Sequence, residues 1–139
     1  MNCVRWTAVP AKRRIGLAPK KIFIIDDADF MVDMLRVVMC DAGYEVVGVA
    51  FNGEQALESM RVLPPSALPD IVTLDFHMPK MDGMEAVDSI RAIVPGVKIV
   101  LISSDSTMPV VMRAKDVGVD AFIAKPFEPR IVLDAIAKF

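Results

Sequence analysis

Along residues 21–139, short runs of β-branched and apolar side chains alternate five times with segments whose apolar positions recur at helical spacing. A short apolar run bounded by turn residues suits a strand buried on both faces, whereas a period near 3.6 marks a helix with one buried side. The runs predict strands over 21–25, 45–50, 71–74, 98–103 and 121–124. They lack polar alternation, so helices are expected to cover both faces of one parallel α/β sheet.

The first helix has the clearest pattern. Met31, Met34, Leu35, Val38 and Ala42 fall at i, i+3, i+4, i+7 and i+11, and the stripe ends at Gly43. Methionines in such a stripe read as core filling rather than as cofactor contacts. Further helices are predicted from about 53 to 60, from 84 to 93 ahead of Pro95-Gly96, and from about 108 to 117 ahead of Gly118. The fifth carries Val132, Ala135, Ile136 and Phe139 on one stripe and reaches the last residue, so no helix-turn-helix or catalytic output domain is expected.

Two stretches break the alternation. Residues 1–19 hold Arg5, Lys12, Arg13 and Arg14 without sustained periodicity, and are expected to form a solvated or loosely docked tail before a single domain over 20–139. A specific basic docking site is the alternative. Leu63-Pro64-Pro65-Ser66-Ala67-Leu68-Pro69 has no helical period and three prolines, which predicts a stiff surface loop.

Composition narrows the class. With 139 residues, 54% hydrophobic, the chain can bury one core without staples. Its 16 basic and 18 acidic side chains leave a net charge of −2, hence no broad positive field. Direct binding to nucleic acid or to a membrane surface is therefore not expected, and small partners or other proteins are; the chain is expected to be a monomer. Cys3 and Cys40 form no CxxC or Cys/His arrangement, so neither a zinc pattern nor a disulfide framework is present. No apolar run approaches the roughly 18 residues of a membrane span, and nothing resembles a signal peptide, which points to a cytoplasmic location.

In an open parallel sheet, ligands bind outside the carboxyl ends of the strands. Here those ends carry Asp26-Asp27, Asp75, Ser103-Ser104 and Lys125-Pro126. Three unpaired carboxylates together are costly, since two like charges at 4 Å repel by about 4 kcal/mol at an effective dielectric of 20. A hard divalent cation with oxygen-only ligands removes that repulsion, and Mg²⁺ fits better than zinc or a calcium cage. A cation, an ammonium and a hydroxyl around one carboxylate suit a phosphoryl group, with Asp75 as the attacking carboxylate. Each residue taken alone has a plainer explanation: Asp26, Asp27 or Asp29 capping a helix, Asp75 capping a turn, Lys125 solvated at the surface.

With these residues in view, the chain resembles the receiver domains of two-component response regulators, especially single-domain chemotaxis regulators. The motifs are Ile24-Ile25-Asp26-Asp27, then Asp70-Ile71-Val72-Thr73-Leu74-Asp75 running into Phe76-His77-Met78-Pro79-Lys80-Met81-Asp82-Gly83, then Ser103, then Lys125-Pro126-Phe127. The resemblance implies a flavodoxin-like doubly wound (βα)5 fold with strand order 2-1-3-4-5. It implies that Asp75 accepts a phosphoryl group from a sensor histidine kinase or a small phosphodonor. Asp27 would bind Mg²⁺ directly and Asp26 partly through water, with Asp75 and the main-chain carbonyl of His77 completing the metal site. Lys125 would pair with phosphoryl oxygens, Ser103 would move to hydrogen-bond them, and Phe122 would turn inward in response. His77 and Asp105, two positions after Asp75 and Ser103, would modulate loss of the phosphoryl group. A cis Lys125–Pro126 bond is also implied.

The changed surface would comprise the fourth helix, fifth strand and fifth helix, meeting a downstream protein such as a flagellar motor switch. Phe122 stands where enteric chemotaxis regulators commonly carry tyrosine, which weakens that particular target. A phosphorelay role, passing the group to a histidine phosphotransfer protein, is the alternative. Asp27-Ala28-Asp29 also matches the Asp-x-Asp start of a haloacid-dehalogenase-type phosphatase, a reading disfavoured because the receiver signature places the acceptor on the third strand and because such enzymes normally need a cap and a longer chain. No independent enzymatic turnover is expected.

Overall fold

The computed structural model describes residues 18–78 and 81–139. The tail expected over residues 1–19 lies almost entirely outside them. Five strands form where the apolar runs predict them: β1 (Lys21–Ile25), β2 (Glu45–Ala50), β3 (Ile71–Asp75), β4 (Lys98–Ser103) and β5 (Ala121–Ala124). The helices between and after them are α1 (Asp29–Asp41), α2 (Gly53–Val62), α3 (Gly83–Ile93), α4 (Met108–Val117) and α5 (Pro129–Ile136). The strands pair in parallel in the order β2-β1-β3-β4-β5, the doubly wound flavodoxin-like arrangement. β3 is central and buried at all five positions, which explains its unbroken apolar run up to Asp75.

The sheet separates two cores. On one face, α2, α3 and α4 pack over Phe23, Ile25, Val72, Leu74, Ile99 and Leu101. On the other, α1 and α5 cover Ile22, Ile24, Ile71, Val100, Ile102 and Ile123. Alternate residues of each strand thus feed opposite cores, as the pleat requires. Gly48 of β2 leaves room for the Phe23 ring, which a Cβ there would approach to 2.5 Å.

Four sequence expectations need adjustment. α1 buries Val32, Leu35, Met39 and Cys40, so its inward arc is rotated from the predicted stripe, and Met31 and Met34 lie at its edge. The helix is apolar around much of its circumference, with Phe30 and Val37 exposed, so period alone does not fix the arc. The proline segment contains a short 3₁₀ turn at Pro65–Ala67 within its extended backbone. Cys40 is buried and is not a free thiol, which the absence of a sequence pattern did not indicate. α5 ends at Ile136, short of the last residue, yet its inward face is the predicted one: Val132 and Ile136 are buried, with Ala135 and, beyond the helix, Phe139 packed beside them.

Candidate functional site

Parallel strands of similar length deliver their last residues to one edge, and here that edge gathers the predicted chemistry. Asp26 follows β1, and its backbone N–H donates to the Ala50 carbonyl at the end of β2, 3.1 Å away. One carboxylate oxygen, Oδ1, accepts from the Ala28 N–H at 2.9 Å. The other, Oδ2, accepts from Lys125 Nζ at 3.1 Å. Asp75 ends β3 and takes a second hydrogen bond from the same ammonium, 3.3 Å from its Oδ1. Lys125 is placed by its own N–H, which donates to the Ser103 carbonyl at 2.7 Å; the Lys125–Pro126 bond is cis.

Carboxylate oxygens of Asp26, Asp27 and Asp75 lie within 4.8 Å of one another. Asp26 and Asp75 are buried, whereas Asp27 faces solvent. Asp26 is engaged through both oxygens, and Asp27 is the solvent-facing member, its side chain within hydrogen-bonding reach of Asp75. All three are oxygen donors with exposed space on one side, a set that fits Mg²⁺. The alternative in which one aspartate caps α1 is not what forms: the N-cap is Ala28 and has no side-chain hydrogen bond.

The electrostatics follow from burial. Desolvation, reinforced by the Asp26 charge and opposed by Lys125, pushes the Asp75 carboxyl from an ordinary 3.8 up to about 6. For Lys125, burial favours the neutral amine, but Asp75 and Asp26 outweigh it and raise the ammonium's pKa. A single cation between two buried carboxylates leaves net negative charge at this edge, which favours recruitment of a further cation.

Ser103 is fully buried at the end of β4. Its hydroxyl donates to the Asp105 carbonyl and accepts from the Asp105 N–H, both at 2.9 Å. The Asp105 carboxylate accepts from the Thr107 N–H at 3.0 Å and the Thr107 hydroxyl at 2.7 Å, which holds its pKa down. This chain of contacts leads into α4. Phe122 on β5 is half-buried and packs against the core beneath α4. His77 is exposed, its ring edge-on to Phe76 with centroids 4.4 Å apart. A cleft of about 650 Å³ opens beside the acidic edge, lined in part by Asp27, His77 and Glu85.

Two contributors were not singled out from the sequence. Asp82 caps α3, its Oδ1 accepting from the Met84 N–H at 2.7 Å. Gly83 packs so closely on the end of β3 that a Cβ would stand 2.6 Å from the Asp75 carbonyl oxygen. An Asp-Gly pair opening an apolar-periodic segment is an N-cap signal, and the motif containing it was visible.

The fold and this edge define a class. The sequence matches the response regulator receiver domain over residues 22–137, and the chain belongs to that family. It is 42% identical over 119 residues to the chemotaxis protein CheY of Thermotoga maritima, covering 86% of this chain and 96% of that one. It is 39% identical over 118 residues to CheY of Bacillus subtilis, covering 85% and 95%. Among solved structures, a CheY-like receiver domain protein from Methanospirillum hungatei superposes with a TM-score of 0.78 at 25% identity, covering 87% of this chain and 93% of that one. The CheX–CheY–BeF3–Mg complex from Borrelia burgdorferi gives 0.78 at 29% identity, covering 86% and 88%. Receiver domains of this kind act as switches rather than as metabolic enzymes, and the haloacid-dehalogenase reading is set aside. Among the described residues, no helix is long and apolar enough to cross a membrane.

Proposed function

We propose that this protein is a phosphorylation-driven switch in chemotaxis signalling, with Asp75 as the phosphoacceptor. The observation that carries the reading is the buried Asp75 carboxylate held between Lys125 on one side and Asp26 and Asp27 on the other. An oxygen of Asp75 attacks phosphorus, an O–P bond forms, and the P–N bond of a sensor kinase's phosphohistidine or of phosphoramidate breaks. The nitrogen leaves with the electron pair of that bond and takes a proton. Lys125 steadies the negative oxygens as charge redistributes. Asp26, Asp27, Asp75 and the main-chain carbonyl of His77 would hold Mg²⁺, which when bound neutralises carboxylate and phosphoryl oxygens.

Output follows from Ser103. To reach a phosphoryl oxygen its hydroxyl must leave Asp105, which loosens the turn into α4 and opens room for Phe122 to move inward. The α4–β5–α5 surface is suited to read that change, since it carries the exposed apolar side chains Met108, Met112 and Ile131. His77 and Asp105 flank the entrance and set access of water to the acyl phosphate. The downstream partner is a motor-switch protein or, in a phosphorelay, a histidine phosphotransfer protein. Chemotaxis is favoured by the run of CheY relatives and by the Borrelia CheY, which was crystallised with CheX, BeF3 and Mg.

The test is intact-mass analysis with phosphoramidate, with and without Mg²⁺, alongside Asp75→Asn. A Mg²⁺-dependent gain of one phosphoryl group that Asp75→Asn abolishes is the expected result. No gain by the wild-type protein under any condition overturns the reading.

A further inference from the structure

Asp82 uses its two carboxylate oxygens differently. Oδ1 caps α3 through the Met84 N–H, and Oδ2 accepts from Arg113 Nη1 at 3.2 Å. Arg113 lies in the middle of α4, a helix in which only Ala114 is fully buried. Val110 and Val117 pack at the edge of the core beside it, and polar contacts hold α4 at three places. At its C-terminal end Arg91 donates to the Val117 and Gly118 carbonyls and to Asp120, a carboxylate that also accepts from the Ile99 N–H. At its N-terminal end stands the Ser103–Asp105–Thr107 turn. Between them is Arg113–Asp82, which ties α4 to the helix whose first residue, Gly83, rests on Asp75.

Only the first of these holds is remote from the site. When Ser103 releases Asp105, the N-terminal hold loosens, and the Arg113–Asp82 pair is what then keeps α4 beside the start of α3. We propose that this ion pair is a brake on the switch, making Arg113 a positioning residue that biases the domain toward its resting arrangement. The proposal rests on the phosphoacceptor reading above. Side-chain exposures of 49% for Arg113 and 33% for Asp82 limit its strength, so its removal shifts the resting-to-active ratio by about two- to fivefold rather than by orders of magnitude.

The test titrates beryllofluoride with Mg²⁺ into the wild type, Arg113→Gln, Asp82→Asn and the double variant, following backbone amide shifts of residues 104–107. Phosphoramidate labelling rates are measured in parallel. Asn preserves an N-cap oxygen for α3, and urea unfolding of each variant confirms equal folding. Each single variant is expected to gain about two- to fivefold in apparent beryllofluoride affinity and labelling rate, with the double variant no different from either. Arg113→Lys should stay near wild type, and 1 M salt should shrink the gap. Unchanged single variants beside a responsive wild type, or single effects that simply add, overturn the brake. A wild type that neither binds beryllofluoride nor becomes labelled overturns the phosphoacceptor reading itself, and the brake falls with it.

Discussion

Gly83 and Asp75 meet backbone to backbone: the Gly83 N–H donates to the Phe76 carbonyl at 3.0 Å, and a Cβ on Gly83 would lie 2.6 Å from the Asp75 carbonyl oxygen and 2.9 Å from Phe76 Cα. Both near atoms are main chain, so neither swings aside as a side-chain tip would. Gly83→Ala therefore forces the start of α3 away from the end of β3. We expect a loss of about 1–3 kcal/mol in urea unfolding, the usual range for overpacking. Labelling of Asp75 should fall about tenfold or more, because small displacements of a reacting group are costly in rate. Stability and labelling rate that both match wild type would show that the contact is relieved at no cost.

Thr73 supplies a second, opposite-signed prediction. It sits on β3 between Ile24 and Val100, is 1% exposed, and its hydroxyl has no hydrogen-bond partner among the described residues. An orphaned buried hydroxyl costs about 1–3 kcal/mol, and Val keeps the shape without it. Thr73→Val should raise the urea midpoint by an amount equal to about 1 kcal/mol. A lower midpoint would mean that the hydroxyl is satisfied.

These two cases show where the sequence is legible and where it is not. The strand runs, the helical periods and the convergence of Asp26, Asp27, Asp75, Ser103 and Lys125 on one edge follow from patterning, because a parallel sheet sends all strand ends to the same side. The orientation of α1 does not follow, since Phe30 and Val37 are as apolar as the residues it buries. Nor do the bifurcated hold of Lys125 on Asp26 and Asp75, the hydrogen bonds of Ser103 to the Asp105 backbone, or the bridge from Arg113 to Asp82. Each depends on the distance between elements far apart in sequence, which residue types alone do not encode.

The raised pKa of Asp75 gives a pH signature of definite sign. The folded protein holds this proton up to about 6, whereas the ordinary value is 3.8. Between these values the folded state binds more protons than the unfolded one, so Asp75's contribution to stability falls as pH rises through this window. Asp75→Asn should remove that segment of the stability–pH curve and, without Mg²⁺, make the variant more stable than wild type at pH 7. The same proton competes with the cation. Mg²⁺ affinity measured by calorimetry should drop about tenfold from pH 7 to pH 5, as expected for one proton displaced from a group titrating near 6. A flat affinity over that range would separate Asp75 from the metal site.

Under the proposed function, Lys125 and Mg²⁺ neutralise the same carboxylates, which makes their effects separable. Lys125→Met leaves Asp26 and Asp75 buried without their shared cation, each having lost a hydrogen bond of 3.1 or 3.3 Å. Breaking a buried pair by removing one partner costs about 3–5 kcal/mol, and 19% exposure of the lysine places this case toward the low end. Added Mg²⁺ should restore much of the loss, so the variant's melting temperature should rise more on saturation with Mg²⁺ than that of wild type. Removing a positive charge beside a divalent cation is worth about 1–3 kcal/mol in a partly solvated site, so Mg²⁺ should bind Lys125→Met about tenfold more tightly or better. Phosphoramidate labelling should nonetheless slow if, as proposed, this ammonium steadies the phosphoryl oxygens. Tighter Mg²⁺ binding with slower labelling is the combination expected of a shared electrostatic site; weaker Mg²⁺ binding would show that Lys125 acts mainly by holding the loop after β5 in place.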